Sequence, residues 1–348
     1  MSSKKYTYHI KKVVLALLCL TTFASCQFHE LTEECDKKGL IIVNLGLEGL
    51  STRAAGPLFT GDDQIDKIRI FVFHGNVLEV SNLYTSTDDQ FNNPFVMEVT
   101  TGTKDVYVVA NESNAITSAL QAVTTKTELI SIIEYQMNSA LSLPLIMTGK
   151  EEDVEVVELI EPLHNSTYIE LKRIAAKISL KFKKDTDKEV YITKVSLLNN
   201  TGKTTIWEEV AAASNQDYWN WTHVPATALE LNSTAIPLVG QDNLYFFENL
   251  AGATNKDKAV ELEVEALFDN IQTTYRVYVN EDIESPGSGI PGDPDSSFVS
   301  IKDHFYNIKR NYHYQLTGTI TDLGEFTTIS VKVKILPWDV HDYPIELK

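Results

Sequence analysis

The chain is 348 residues long and carries 48 acidic against 30 basic side chains, a formal charge of −18. That imbalance speaks against nucleic acid and anionic lipid headgroups as partners and suits a solvated, exposed surface. Three cysteines are too few for a disulfide framework or a cysteine-based metal centre, while the length suffices for two domains that each bury a core.

Near the start the chain reads Lys11-Lys12-Val13-Val14-Leu15-Ala16-Leu17-Leu18-Cys19-Leu20-Thr21-Thr22-Phe23-Ala24-Ser25-Cys26. A basic start, an uncharged apolar run and two small residues before a cysteine predict a lipoprotein signal peptide over residues 1–25. The run at 13–24 is shorter than the roughly 20 helical residues needed to cross a bilayer. Cys26 offers its thiol to a diacylglyceryl group and becomes the first mature residue; plain secretion is the other reading of the same stretch. Either way the chain is exported. Residues 26–38, with Glu30, Glu33, Glu34 and Asp36, predict an acidic tether in which Cys35 has no cysteine partner once Cys26 is acylated.

From Gly39 the pattern turns to strict alternation. Ile41, Val43, Leu45 and Leu47 share one face and Asn44 and Gly46 the other, which predicts a half-buried strand. Residues 49–61 are rich in Gly, Ser and Pro, with Arg53 in the middle and Ala54-Ala55-Gly56-Pro57 behind it, and predict an exposed loop. Strands follow at 67–73, 78–85, 95–100 and 105–110, separated by turn residues such as His74-Gly75-Asn76, a spacing that suits antiparallel sheets in a sandwich. Thr125-Lys126-Thr127-Glu128 has capping-box spacing, and Leu129, Ile132 and Ile133 then predict one short helical insert. Residues 145–149 and 154–159 return to strand patterns.

The basic, apolar stretch from Leu171 to Phe182 differs from the acidic region before it and places a domain boundary near residue 168. Residues 39–168 then form an N-terminal domain and residues 169–348 a C-terminal one. The second half predicts strands at 191–198, 244–248, 260–268, 273–279, 312–321 and 327–336, a long Gly/Pro loop at 285–294 and an irregular stretch at 207–231. No repeat of 20–50 residues is present, which argues against a propeller or solenoid. The fold class is mainly β: two β-sandwich domains with a short helical insert in the first.

Catalytic signatures are missing from the sequence, with no nucleophile elbow, phosphate loop, dinucleotide fingerprint or His-Glu-x-x-His. The histidines are scattered without ligand spacing, Asp293 and Asp295 sit in the Gly/Pro loop, and Glu151-Glu152-Asp153-Val154-Glu155 reads as a charged turn. No catalytic residue, metal or cofactor is assigned, and the chain reads as non-enzymatic. Trp207, Trp219 and Trp221 allow two readings, a sugar-stacking platform or packing in the core.

Two apolar combs of matching pitch stand out instead. One is Ile41, Val43, Leu45 and Leu47; the other is Ile329, Val331, Val333 and Ile335, with Ser330, Lys332 and Lys334 facing away. Either comb fits the same kind of groove. If the loop at Arg53 were cut and the first strand lost, four aliphatic sites would open, worth about 6–12 kcal/mol at about 1.5–3 each before ordering costs. A strand donated by another copy would refill the trough and pair the open backbone. The plainer alternative is that both combs are ordinary strands of one finished monomer.

Several stretches carry a family resemblance by their order and spacing: the signal ending at Cys26, Ser51-Thr52-Arg53-Ala54, Asp66-Lys67-Ile68-Arg69-Ile70-Phe71-Val72-Phe73, and Asp105-Val106-Tyr107-Val108-Val109-Ala110-Asn111. Leu145-Ile146-Met147-Thr148, Lys172-Arg173-Ile174-Ala175-Ala176-Lys177-Ile178, Ile308-Lys309-Arg310-Asn311-Tyr312-His313-Tyr314 and Val331-Lys332-Val333 leading to Pro337-Trp338 continue it. The chain resembles the FimA-type fimbrillin family, lipoprotein-derived pilins of Gram-negative anaerobes. The resemblance implies two transthyretin-like β-sandwich domains, export as an outer-membrane lipoprotein precursor, proteolytic processing between Arg53 and Ala54, and polymerisation by donor-strand exchange. Ile41, Val43, Leu45 and Leu47 would be the plug. The donor would be Ile329, Val331, Val333 and Ile335, or the last eleven residues. Implied partners are other fimbrial subunits, in a homo- or hetero-polymer, the outer membrane before processing, and a host or bacterial surface. An arginine at position 53 points to a shaft or tip subunit rather than an anchor. The competing expectation is an anchored, monomeric surface lipoprotein that binds glycan or another ligand.

Overall fold

A computed structural model describes residues 37–47, 61–158, 165–207, 217–241, 243–282, 301–324 and 329–337. The first half contains β1 (Lys38–Leu47), β2 (Lys67–His74), β3 (Val77–Thr85), β4 (Phe95–Thr100) and β5 (Gly102–Ala110). Helices α1 (Asn114–Ala122) and α2 (Lys126–Ile130) follow, then β6 (Ile133–Tyr135), β7 (Met147–Val156) and β8 (Ser166–Arg173). Seven of these strands are ordered β3-β2-β5-β7-β8-β1-β4. Only Met147↔Arg173 and Thr148↔Lys172 pair across the β7–β8 seam. The sheet folds over at that thin seam, so β3-β2-β5-β7 faces β8-β1-β4 across one core.

Strand parity explains both sides of the first layer. Ile68, Ile70 and Val72 of β2, with Val106 and Val108 of β5, point into the sandwich. Their neighbours Phe71, Phe73, Tyr107 and Val109 point the other way, under Ile116 and Leu120 of α1 and Leu129 of α2. A strand covered on both faces reads as a continuous apolar run, which is what Ile68-Arg69-Ile70-Phe71-Val72-Phe73 is. In β8 only one face is covered, and burial alternates at every residue.

The capping box forms as expected. Thr125 accepts from the Glu128 N–H, and Glu128 accepts from the Thr125 N–H. The helix it starts stops at Ile130, and a second helix precedes it, α1, with Ile116 and Leu120 one turn apart on its buried side. The segments at 145–149 and 154–159 are largely one strand, β7. Asp153, at a positive φ of 60°, and a register shift opposite Lys104 and Val106 absorb the charged turn within it.

The boundary expected near residue 168 falls inside β8, whose residues Ser166 to Leu171 pair with Ile42 to Leu47. The chain passes from one sandwich to the other at Ile174. Ile169 and Leu171 belong to the first core although the compositional change begins beside them.

The second half holds β9 (Ala175–Lys184), β10 (Val190–Thr201), β11 (Lys203–Thr205), β12 (Tyr218–His223), β13 (Leu229–Glu230), β14 (Ile236–Pro237), β15 (Leu244–Phe247) and β16 (Asn249–Leu250). It continues with β17 (Glu261–Phe268), β18 (Ile271–Tyr278), β19 (Asn307–Ile308), β20 (Tyr312–Ile320) and β21 (Ser330–Pro337). One sheet runs β12-β10-β17-β18 and the other β14-β9-β20-β21, and a single large apolar cluster fills the space between them. The stretch 207–231, expected to be irregular, contains β12. Trp219 and Trp221 alternate with exposed Asn220 and Thr222, a period-2 signal of two tryptophans in six residues.

Polar groups tie the two halves at their junction. The Arg173 guanidinium has no solvent exposure; it pairs with Asp63 and donates to Asn311 Oδ1 at 3.1 Å. Asp62, next to it, pairs with Lys177 and accepts from the Tyr245 hydroxyl. Burial, together with Asp62, pushes the Tyr245 hydroxyl pKa well up, so it stays a donor. Arg310 and Glu248 form a second buried pair at 2.6 Å.

His304 is nearly inaccessible, with its Nδ1 2.8 Å from the Tyr314 hydroxyl. Burial, and to a lesser degree Lys309, brings its pKa down to about 4, against a small opposing pull from Asp303. The unfolded chain takes up this proton at about pH 6.5, so the stability contributed is complete above that pH and is lost as the pH falls towards 4. Thermal melts should therefore drop steadily between pH 6.5 and pH 4. A His304→Gln variant, which keeps a hydrogen-bonding side chain and cannot titrate, should show a shallower drop over that window.

Candidate functional site: the seat of the first strand

β1 lies inside its sheet. It runs parallel to β8, with Val43 opposite Thr167 and Leu45 opposite Ile169, and antiparallel to β4, with Ile41 opposite Met97 and Val43 opposite Phe95. β4 is last in the strand order, so β1 is its sole ladder partner among the described residues. Ile41 and Val43 are fully buried and Leu45 is 5% exposed. Their burial is worth about 4.5–9 kcal/mol at about 1.5–3 kcal/mol each.

The backbone of β1 is satisfied beyond the ladders as well. Leu45 N–H donates to Asn93 Oδ1 at 3.0 Å, and Asn93 Nδ2 donates to Leu45 O at 2.8 Å, so a side-chain amide continues the pairing past the start of β4. Ile42 N–H donates to Asn165 O, and Asn44 Nδ2 donates to Ser166 Oγ, both at 2.9 Å. Lys37 and Lys38 add exposed ion pairs to Glu158 and Glu98, which contribute little in water.

The outer wall, β4, has anchors of its own. Phe95 packs against Tyr84 with ring centroids 4.9 Å apart and meets Phe91 edge-on at 6.1 Å. At the other end Thr100 is clasped. Its N–H donates to Glu79, and Lys104 Nζ donates to its Oγ1 at 2.7 Å. Lys104 has no exposure, pairs with Glu79 at 2.7 Å, and lies 3.0 Å from His74 Nδ1. Burial pushes the Glu79 carboxyl up, but the Lys104 hydrogen bond and the Thr100 N–H outweigh it and hold the group below the usual carboxylate range. Glu79 is therefore ionised at neutral pH.

Ile41, Val43 and Leu45 converge in this seat, and Leu47 pairs through its backbone with Leu171. Ile329, Val331, Val333 and Ile335 do not join them: they are buried in the second core, where β21 pairs with β20 at the edge of its sheet. Cys26, Arg53 and Ala54, the loop at 285–294 and residues 338–348 lie outside the described residues. The tryptophans do not form a sugar platform. Trp219 and Trp221 are buried in the second core beside Phe246 at 5.8 and 6.4 Å, and Trp207 packs edge-on to Tyr107 at 4.9 Å. Among the described residues no group of three His, Cys, Asp or Glu side chains could hold a metal.

Asn93, Glu79 and Lys104 escaped the sequence reading. One signal was available: Lys104 shares strand parity with inward-facing Val106 and Val108, and a lysine on a core face requires a carboxylate. Which carboxylate answers it is set by the β2–β3 turn and is invisible in sequence.

The model of a family described as "Major fimbrial subunit protein (FimA)" matches residues 43–182. The chain is 30% identical over 352 aligned residues to the major fimbrium subunit FimC of Porphyromonas gingivalis, covering 97% of this chain and 72% of that protein. A crystal structure of a cell-adhesion candidate from Parabacteroides distasonis superposes with a TM-score of 0.61 at 16% identity, covering 88% of this chain and 99% of that one. A fimbrilin (FimA) structure from Porphyromonas gingivalis superposes with a TM-score of 0.57 at 17% identity, covering 88% and 99%.

A Lys104→Met substitution leaves the half-buried Glu79 without its cation, and breaking a fully buried pair costs about 3–5 kcal/mol, which sets an upper bound here. The melting temperature should fall, and amide exchange at Val99, Thr100 and Thr101 should speed up. Adding Glu79→Leu to the same chain should recover much of the loss. A single variant as stable as the parent would show that the clasp carries nothing.

Proposed function

We propose that this chain, which belongs to the FimA-type family of fimbrial subunit proteins, is exported as a lipoprotein through Cys26, cut after Arg53 and joined to other subunits by strand exchange. It is a structural rather than a catalytic protein, and its place as a fimbrial subunit is the cell surface. The reading rests above all on one observation: the first described strand occupies an interior slot and is, among the described residues, the sole ladder partner of β4.

A cut at Arg53 would leave β1 held only by non-covalent contacts. Its departure would expose the edges of both β8 and β4 and empty the sites of Ile41, Val43 and Leu45. Open edges and an apolar trough both favour an incoming strand, and β-strand addition satisfies both at once. The register fixes its direction: parallel to β8 and antiparallel to β4.

Of the two C-terminal candidates for donor, β21 already fills its own core with Ile329, Val331, Val333 and Ile335. Drawing it out would give up about 6–12 kcal/mol at home, as much as it could gain in a neighbour. In this reading β21 stays in place and the donor is the segment 338–348, where Tyr343, Ile345 and Leu347 alternate. Each subunit then fills the seat of the next, and the resulting fibre presents its subunits for adhesion to a host or bacterial surface.

The test is Arg53→Ala. Surface material run on a gel without boiling should ladder for the parent chain and collapse to a single band for the variant. Mass spectrometry should find Ala54 as the parent's first residue and acylated Cys26 as the variant's. Ladders unchanged by the substitution would overturn cleavage-dependent assembly.

A further inference from the structure

The seat of β1 has one position at which its wall cannot yield. A Cβ built on Gly39 would lie 2.7 Å from Val156 Cγ1 and 3.0 Å from the Val157 carbonyl oxygen. That carbonyl is pinned: Asn165 Nδ2 donates to it at 3.0 Å, and Asn165 Oδ1 accepts from the Val157 N–H at 3.0 Å. Asn165 is itself 3% exposed, and its backbone carbonyl takes the Ile42 N–H at 2.9 Å. Val156 is 1% exposed and packed in the first core. Gly46 meets a different obstacle, the Tyr168 hydroxyl at 1.8 Å. That hydroxyl is the far end of a side chain 43% exposed, whereas the obstacle at Gly39 includes backbone.

Building on the strand-exchange reading, we propose that the seat selects its occupant by a glycine at the position of Gly39. It takes a strand with glycine two residues ahead of the first of three alternating aliphatics. Neither C-terminal candidate of a second copy has it: with Ile329, Val331 and Val333 over the three sites Thr327 would bring a Cβ to that point, and with Tyr343, Ile345 and Leu347 there His341 would. In the register that sets Tyr343, Ile345 and Leu347 over the three sites, Pro344 would also lack the N–H that Ile42 gives to Asn165. The groove is therefore cut for a strand from a different subunit, and the joint it makes is heterotypic.

The experiment uses the full chain cleaved after Arg53 and stripped of its first strand in mild denaturant, with labelled synthetic peptides as probes. The peptide of residues 38–47 should bind. Its Gly39→Val form should bind at least tenfold more weakly, and its Gly46→Ala form within about threefold of the parent peptide. A peptide of residues 325–337 should bind poorly and improve with Thr327→Gly, which places glycine two residues ahead of Ile329. Equal binding by the parent and Gly39→Val peptides would overturn the glycine rule. Failure of the unmodified 38–47 peptide to bind would overturn the strand-exchange reading and the partner assignment with it. In the uncut chain, Gly39→Val should lower the melting temperature far more than Gly46→Val; equal tolerance of the two would overturn the rule independently of assembly.

Discussion

The first sandwich depends on a strand contributed by the beginning of the chain to the middle of a sheet. An edge strand that leaves exposes one row of backbone groups. β1 leaving exposes two rows, on β8 and β4, and detaches β4 from every ladder it has among the described residues. Unpaired buried donors and acceptors cost about 1–3 kcal/mol each, on top of the apolar sites of Ile41, Val43 and Leu45. The fold cannot absorb that loss by small adjustments, because β4 would have to move a full strand spacing to reach β8. The Tyr84–Phe95 contact and the Glu79–Lys104 clasp on Thr100 both oppose such a slide. Were β1 withdrawn, they would hold the gap open at the width of one strand.

Everything downstream of the gap is secured separately. Asp62 and Asp63 stand just after the segment that carries Arg53, and they are fastened to Arg173, Lys177 and Tyr245 at the junction of the two sandwiches. Buried ion pairs add little net stability, yet removing one partner is costly. Such contacts fix geometry better than they add stability. Here they hold the chain from Gly61 onward against the second half, and among the described residues the second core contains none from β1. Loss of the first strand would thus be confined to one sandwich.

Much of this was legible in the sequence where the signal is local. Alternation gave β1 its buried face, and a Thr–Glu spacing gave the start of α2, whereas β8, whose burial alternates as cleanly, was passed over for a domain boundary. The apolar run at 68–73 gave a strand, and its two covered faces emerged only with the packing of both clusters around it. What failed was contextual. α1 has only Ile116 and Leu120 to announce it, and Ser113 makes no side-chain cap to mark its start. β12 hid because only Trp219 and Trp221 mark its buried face, two positions in a polar stretch otherwise read as irregular. The domain boundary was misplaced because charge changes at Lys172 and Arg173 while burial continues: Arg173 is one of the most deeply buried side chains in the molecule. The walls of the seat depend on Asn93, Glu79 and Lys104, residues brought together by turns whose partners no local pattern names.

The two combs show where pattern reading stops. Ile41, Val43 and Leu45 have the same pitch and aliphatic character as Ile329, Val331 and Val333, and both sets are buried to within 5% exposure. Their positions nevertheless differ in kind. β1 is interior and has ladder neighbours on both sides, whereas β21 is last in its sheet among the described residues, with β20 as its ladder partner and a further backbone bond from the Val333 N–H to the Asp282 carbonyl at 3.1 Å. Periodicity reports that one face of a strand is covered and says nothing about how many of its edges are paired. The number of paired edges decides what happens when a strand is withdrawn: from the edge a sheet shortens, and from the interior it splits. Only the interior vacancy has two walls to define direction and register, and only such a vacancy can discriminate between one incoming strand and another.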